Sequence, residues 1–293
     1  MTVRVPATSA NLGPGFDSFG LALALYDEVS FTVLDGGLEV EIDGEAASSL
    51  RRDADHLVVR SVRDCLARVG LPLPGLRMHC VNRIPHGRGL GSSSAAIVAG
   101  VVGAQALLVE GAQRIDDAGL LAVACEIEGH PDNVAACLRG GFTIAWSEPA
   151  GPRVVVLAPD ARIRPVVFIP TDELETKRAR GLLPATVPHV DAAANSARAA
   201  LLVHALTAAP ELLMVATEDR LHQEYRRPAL PASLDLVHRL REAGLPATVS
   251  GAGPTVLALA CENSLVAARA TAPAGWRVEE LAIDATGATV RSA

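Results

Sequence analysis

Lysine is all but missing from this chain: Lys177 is the only one, and arginine carries the rest of the positive charge. A phosphate-binding loop of the G-x-x-x-x-G-K-[ST] type, or a Schiff-base enzyme, needs a lysine in a defined setting. The stretch Thr176-Lys177-Arg178-Ala179-Arg180 supplies neither setting. A basic excess is also missing. The net charge is −7 and the pI about 5.6, which argues against nucleic acid or an anionic membrane as a partner. The longest apolar stretch, 95–109, is interrupted by Gln105 and falls short of the roughly 20 residues that span a bilayer. The five cysteines are scattered, with no C-x-x-C spacing, so neither a disulfide framework nor a structural metal is expected. Cys125 and Cys137 read as buried, inert thiols. Residues 1–10 show no charged-then-apolar leader pattern. The expectation is a soluble, cytoplasmic protein.

What is present is apolar mass. At 293 residues and 49% hydrophobic, the chain can bury one large core or two small ones. Strands are predicted at 3–5, 21–24, 28–34, 38–42 and 76–81, and helices at 55–69, 92–109 and 115–125. A strand is expected from 142. Residues 147–152, Ser-Glu-Pro-Ala-Gly-Pro, read as a hinge between domains 1–150 and 151–293. Beyond it, 154–157 and 165–169 are expected to pair as strands. Helices are predicted at 191–207, 210–217 and 233–243, with a strand at 256–260. Strands and helices mix without strict alternation, so the fold class is α+β rather than a doubly wound sheet.

Four segments carry chemistry. The first is Pro85-His86-Gly87-Arg88-Gly89-Leu90-Gly91-Ser92-Ser93-Ser94-Ala95-Ala96. Its glycines let backbone approach an anion, and the serines open an apolar helix whose N-terminus suits phosphate. Alone it is equally an N-capped helix after a flexible loop. The second, Glu126-Ile127-Glu128-Gly129-His130-Pro131-Asp132-Asn133, gathers carboxylates, an imidazole and an amide after an apolar helix. It reads as a Mg²⁺ and hydroxyl site or as a polar helix end. The third, Val249-Ser250-Gly251-Ala252-Gly253-Pro254-Thr255, is a glycine turn leaving a strand. The fourth is a pair of arginine-bearing loops, 174–184 and 222–231. These suit carboxylate or phosphate, although arginine runs are more often solvated surface.

Taken together and in order, these segments resemble the GHMP kinase superfamily. The central loop matches at 85–96, with an extra serine at 94, and the C-terminal turn matches at 250–255. Within that superfamily the chain resembles the homoserine kinases. The resemblance rests on Pro6-Ala7-Thr8-Ser9-Ala10-Asn11-Leu12-Gly13-Pro14-Gly15-Phe16-Asp17, on 128–134, on 176–180 before Leu183-Pro184, and on Tyr225-Arg226 before Leu230-Pro231. It spans residues 3 to about 260.

The resemblance implies a two-domain fold of mixed and antiparallel sheets with helices on one face of each, and a homodimer. It implies transfer of phosphate from ATP, with Mg²⁺, to the hydroxyl of L-homoserine, with no nucleic-acid or membrane partner. It places Asn11, Asp17, His130, Asp132, Thr176, Arg180 and Arg226 around the substrate. Asp132, Asn133 and Arg180 are placed at the reacting groups, and Ser93 and Glu128 on Mg²⁺. His56 and the run Pro85, His86, Gly87, Arg88, Gly89, Leu90, Gly91, Ser92, Ser93 and Ser94 are placed on the nucleotide. Position 56 departs from the pattern, which often has Asn there. Another kinase of the superfamily, acting on mevalonate-, shikimate- or sugar-type acceptors, and a non-catalytic ligand-binding relative are the alternatives. A zwitterionic acceptor needs acids for its ammonium and a guanidinium for its carboxylate. Asp17 and Asp132, with Arg180 and Arg226, supply that mixture.

Overall fold

A computed structural model describes residues 1–261 and 265–292. Strand β1, Thr2–Ala10, pairs antiparallel with β2, Phe19–Leu34, along its whole length. The register slips between Pro6 and Ala7, next to the residue that has no N–H to give the ladder. Two separate strands were expected at 21–24 and 28–34; β2 is continuous. Its second half pairs with β4, Gly75–Asn82, and its first residues with β5, Phe142–Glu148. β3, Leu38–Gly44, lies parallel to β4. β6, Gly151–Leu157, closes a hairpin on β5, and β11, Thr289–Arg291, returns to the free side of β1. These seven strands form the first sheet.

Helix α1, Leu57–Ala67, turns Val58, Val59, Val62 and Leu66 inward. α2, Ser92–Leu107, is apolar all round, as a helix enclosed by other elements must be. It packs on α1 and β1, on α4, Asp117–Glu128, and on α5, Asp132–Arg139. Two glycines set its closeness to neighbours. A Cβ at Gly100 would lie 2.5 Å from the Ser61 Cβ, and one at Gly103 would lie 2.6 Å from the Phe31 ring. Between α2 and α4 runs the short α3, Gly111–Arg114.

The second sheet is antiparallel, in the order β10-β7-β9-β8: Arg277–Glu280, Ile163–Ile169, Val256–Cys261 and Ala247–Val249. Its own core includes Phe168, Leu234, Leu240 and Val249, under α9, Pro231–Glu242. α10, Leu265–Ala270, packs on β9 and β7. Three further helices, α6 (Thr176–Arg180), α7 (His189–Thr207) and α8 (Leu213–Ala216), lie between β7 and α9 in the chain; Leu202, Leu206 and Leu213 join the first core. Two expectations are corrected. Residues 154–157 and 165–169 do not pair, because they belong to β6 and β7 in different sheets. Residues 147–152 are the tip of the β5–β6 hairpin, with Glu148 opposite Gly151. The chain changes sheet between Leu157 and Ile163.

The α1–α2 contact can be tested directly. Gly100→Val should lower stability by about 1–3 kcal/mol, the usual cost of overpacking. Urea unfolding should show the midpoint falling with the slope unchanged.

Candidate active site

Residues 83–91 carry the chain from β4 into α2. Their start is pinned by Asp27, whose Oδ1 accepts the N–H groups of Arg83 and Ile84 at 2.6 and 2.9 Å. Gly87, Gly89 and Gly91 all have φ in the left-handed region, at +63°, +76° and +71°. Four hydrogen bonds hold the loop to distant segments. Thr8 N–H donates to the Leu90 carbonyl at 3.1 Å, and Leu174 N–H to that of Gly87 at 2.8 Å. The Ser250 hydroxyl donates to the Gly89 carbonyl at 2.6 Å, and Thr255 N–H to that of Arg88 at 3.2 Å. A Cβ at Gly89 would run into the Ser250 carbonyl, and one at Gly91 into the Thr8 hydroxyl. No side chain caps α2, so its first N–H groups are left for a ligand.

The end of α4 faces this helix start. Glu128 accepts the Ser93 hydroxyl on Oε2 and the Ser94 hydroxyl on Oε1, both at 2.7 Å. Gly129 ends α4 at φ +89°, and three residues later Asp132 begins α5. Asp132 is 2% exposed. Its Oδ1 lies 2.6 Å from His130 Nδ1 and accepts Asn133 N–H at 2.8 Å. Burial works against a charge on His130, but the Asp132 hydrogen bond and the charges of Asp132 and Glu128 outweigh it, and its pKa lies above the ordinary value. Asn133 Oδ1 accepts the Thr8 hydroxyl at 2.7 Å, which leaves its NH₂ as the group free for a ligand.

Two arginines complete the cleft. Arg180, at the end of α6, forms a two-pronged pair with Asp17, at 3.0 Å for Nη1–Oδ2 and 2.5 Å for Nη2–Oδ1. Arg226 is 1% exposed. Its Nη1 lies 3.1 Å from both the Gly251 carbonyl and His222 Nδ1, and its Nε has no partner. Burial first, and then the charge of Arg180, pull the Arg226 pKa down to about 10. The Phe16 ring centroid lies 5.6 Å from each guanidinium carbon, within reach of a cation–π contact with both. Asn11, Gly87, Gly89, Gly91, Ser92, Ser93, Glu128, His130, Asp132, Asn133, Thr176, Arg180 and Arg226 all line one cleft of about 150 Å³.

Comparison with known proteins gives the family. Residues 56–141 match the model of the GHMP kinases N-terminal domain, and 197–275 that of the GHMP kinases C-terminal domain. The homoserine kinase of Streptomyces coelicolor is 59% identical, over 98% of this chain and 93% of its own. That of Clavibacter michiganensis is 51% identical, over 99% and 93%. The chain belongs to the GHMP kinases, in the homoserine kinase branch. The crystal structure of homoserine kinase from Cytophaga hutchinsonii superposes with a TM-score of 0.82 at 27% identity, covering 99% of this chain and 96% of that one. Mevalonate kinase from L. major shares the fold alone, with a TM-score of 0.65 at 14% identity over 97% and 96% of the two chains.

As a GHMP kinase the chain uses ATP, and a second pocket adjoins the cleft through Ser92 and Ser93. Its volume is about 290 Å³, and its polar lining includes Asp27, Arg51, Asp55, His56, Asn82 and His86 beside Val5, Val29 and Leu57. Burial lowers the pKa of both histidines, so both are neutral imidazoles near pH 7. His56 Nδ1 also accepts Val58 N–H and caps α1. Several expected residues serve as scaffold. Arg88 donates to the carbonyls of Pro170, Thr171 and His86, away from the helix start. Leu90 is buried in the core, and Pro85 lines neither pocket. Asn11 spends its amide on Asp17 N–H and the Gly251 carbonyl. Asp17 meets the cleft only through Arg180. Thr8, Phe16, His222, Ser250 and Asp27 were not singled out from the sequence. The first four lie inside segments that were, whereas Asp27 sits in a strand with no local signal. Among the described residues no helix is long and apolar enough to cross a membrane.

Asp27 gives a pH-dependent prediction. Burial raises its pKa to about 6 against the pull of the Ile84 and Arg83 N–H groups. A raised carboxyl pKa means that ionisation costs the folded state. That cost is absent below about pH 4 and complete above about pH 6. Asp27→Asn keeps an acceptor for the two N–H groups and removes the charge. It should stabilise the protein by about 1–3 kcal/mol at pH 7.5 and by little at pH 4. Thermal denaturation at the two pH values reads the difference.

Proposed function

We propose that this kinase transfers the γ-phosphoryl group of ATP to the side-chain hydroxyl of L-homoserine, giving O-phospho-L-homoserine for threonine biosynthesis. The observation that carries the reading is the charge set around the cleft. Two guanidiniums, one of them buried without a carboxylate partner among the described residues, share the site with Asp132 and Asp17. An acceptor that is both cation and anion suits this set; a sugar uses none of it.

In this reading the triphosphate lies on the glycine loop and the N-terminus of α2, and the base enters the pocket of His56 and His86. Ser93 and Glu128 offer a hydroxyl and a carboxylate, a hard-oxygen donor set that fits Mg²⁺. When bound there, Mg²⁺ neutralises charge that develops on the phosphates. Arg226 and Arg180 hold the acceptor's carboxylate, and Asp132, with Asp17, its ammonium. The NH₂ of Asn133 is left to orient the hydroxyl. An amide is not a base, so Asn133 positions without taking the proton. The hydroxyl oxygen bonds to phosphorus as the bond to ADP breaks, and the proton passes to a phosphoryl oxygen. Positioning and charge stabilisation supply the catalysis. Residues 1–157, joined by the returning β11, form the nucleotide-binding unit. The enzyme works in the cytoplasm, as a homodimer.

The reading is tested by ADP release with Mg²⁺–ATP and homoserine, mevalonate, shikimate or galactose as acceptor. Homoserine alone should turn over. Arg180→Ala should raise KM for homoserine about tenfold to a hundredfold, the worth of charge-assisted hydrogen bonds. Asp132→Asn with full kcat and unchanged homoserine affinity would contradict the pocket assignment.

A further inference from the structure

The loop that carries Arg226 also carries a histidine that the reaction does not use. We infer that His222 is a positioning residue: it fixes Arg226 for the acceptor's carboxylate and so sets the preference for an acceptor that has one. This rests on the homoserine reading above.

His222 has no exposed surface. Its Nε2 lies 2.7 Å from the Gly13 carbonyl, and its Nδ1 lies 3.1 Å from Arg226 Nη1. A carbonyl only accepts, so Nε2 bears the proton. Nδ1 is then a bare lone pair, the partner a guanidinium N–H needs. Burial lowers the pKa of the ring, in keeping with this neutral form. Asp219 is the nearest acid, with Oδ1 3.6 Å from Nε2, and its oxygens already accept the N–H groups of Leu221, His222 and Gln223. One face of the ring stacks on Phe16, centroids 5.2 Å apart.

Both ends of the bridge are fixed. Gly13 belongs to the loop of Asn11 and Asp17, and a Cβ there would collide with the Thr217 carbonyl. Arg226 faces the charge of Arg180, which disfavours its own. Among the described residues its hydrogen-bond partners are the Gly251 carbonyl and His222. Without the Nδ1 acceptor the guanidinium is free to turn toward Gly251 and away from its neighbour. The loss then falls on whatever the guanidinium was aimed at. The pocket of His56 and His86 includes neither Arg226 nor His222.

The experiment compares L-homoserine with its carboxamide, which keeps the hydroxyl and the ammonium but lacks the negative charge. Steady-state kinetics of wild type, His222→Leu and His222→Gln are measured with both acceptors. The leucine variant should raise KM for homoserine about tenfold to a hundredfold. KM for ATP should move less than twofold, as should kcat/KM for the carboxamide. Glutamine can donate to Gly13 and accept from Arg226, and should restore most of the homoserine KM. Should the leucine variant fail to fold, His222→Asn, smaller and too short to bridge both partners, takes its place with the same expected split. Equal losses for the two acceptors, or an unchanged homoserine KM, would overturn the inference. Wild type that fails to phosphorylate homoserine would instead overturn the functional reading beneath it.

Discussion

The site depends on one hydroxyl. Ser250 reaches the Gly89 carbonyl at 2.6 Å and the Ser9 hydroxyl at 2.8 Å. A carbonyl can only accept, so Ser250 donates to Gly89, and the two serine hydroxyls share the second hydrogen bond. Three stretches separated by most of the chain are thereby closed on each other: β1, the glycine loop and the turn after β8. The glycines serve this closure as much as they serve a ligand. Gly89 must lack a Cβ because the Ser250 carbonyl stands where it would be. The open N-terminus of α2 is a consequence, since the loop ahead of it is occupied in contacts elsewhere and sends no side chain to cap it.

The rest of the cleft is built from groups that hold each other in place. Asp132 orients His130 and the start of α5 with one oxygen. Thr8 fixes which end of the Asn133 amide is available. Phe16 lies within cation–π reach of both guanidiniums. Such mutual support keeps side chains in single rotamers before a ligand arrives, which lowers the entropy lost on binding.

Much of this was legible because the chemistry lies in contiguous motifs. The segments at 11–17, 85–96, 128–133 and 250–255 each keep their meaning over a few residues, and the cleft gathers them. What was not legible depends on partners far away in sequence. Strand propensity located 154–157 and 165–169 but could not say that they join different sheets. α5 was not anticipated, since Pro131 and Gly129 precede it and it is only eight residues long. Composition alone favours a solvated surface for the arginine run at 226–227, and the resemblance set Arg226 apart from it. Arg227 does pair with Glu224 and Asp235 in solvent, yet its neighbour Arg226 is buried. A one-residue step on a turn of helix separates the two environments, and no charge count can see it. Arg88 shows the converse: its place in the glycine loop suggests phosphate, while its side chain holds the loop to the second sheet.

The two-pronged pair of Asp17 and Arg180 has a consequence for what the site can attract. Each partner already has its counter-charge, so a lone chloride or a lone amine would have to break the bond and leave one half uncompensated. A zwitterion arrives with both charges on one skeleton. It can trade places with the pair as in a salt metathesis, two bonds exchanged for two and no net charge moved. The pair by itself therefore favours dipolar molecules, whose two charges replace both of its halves at once.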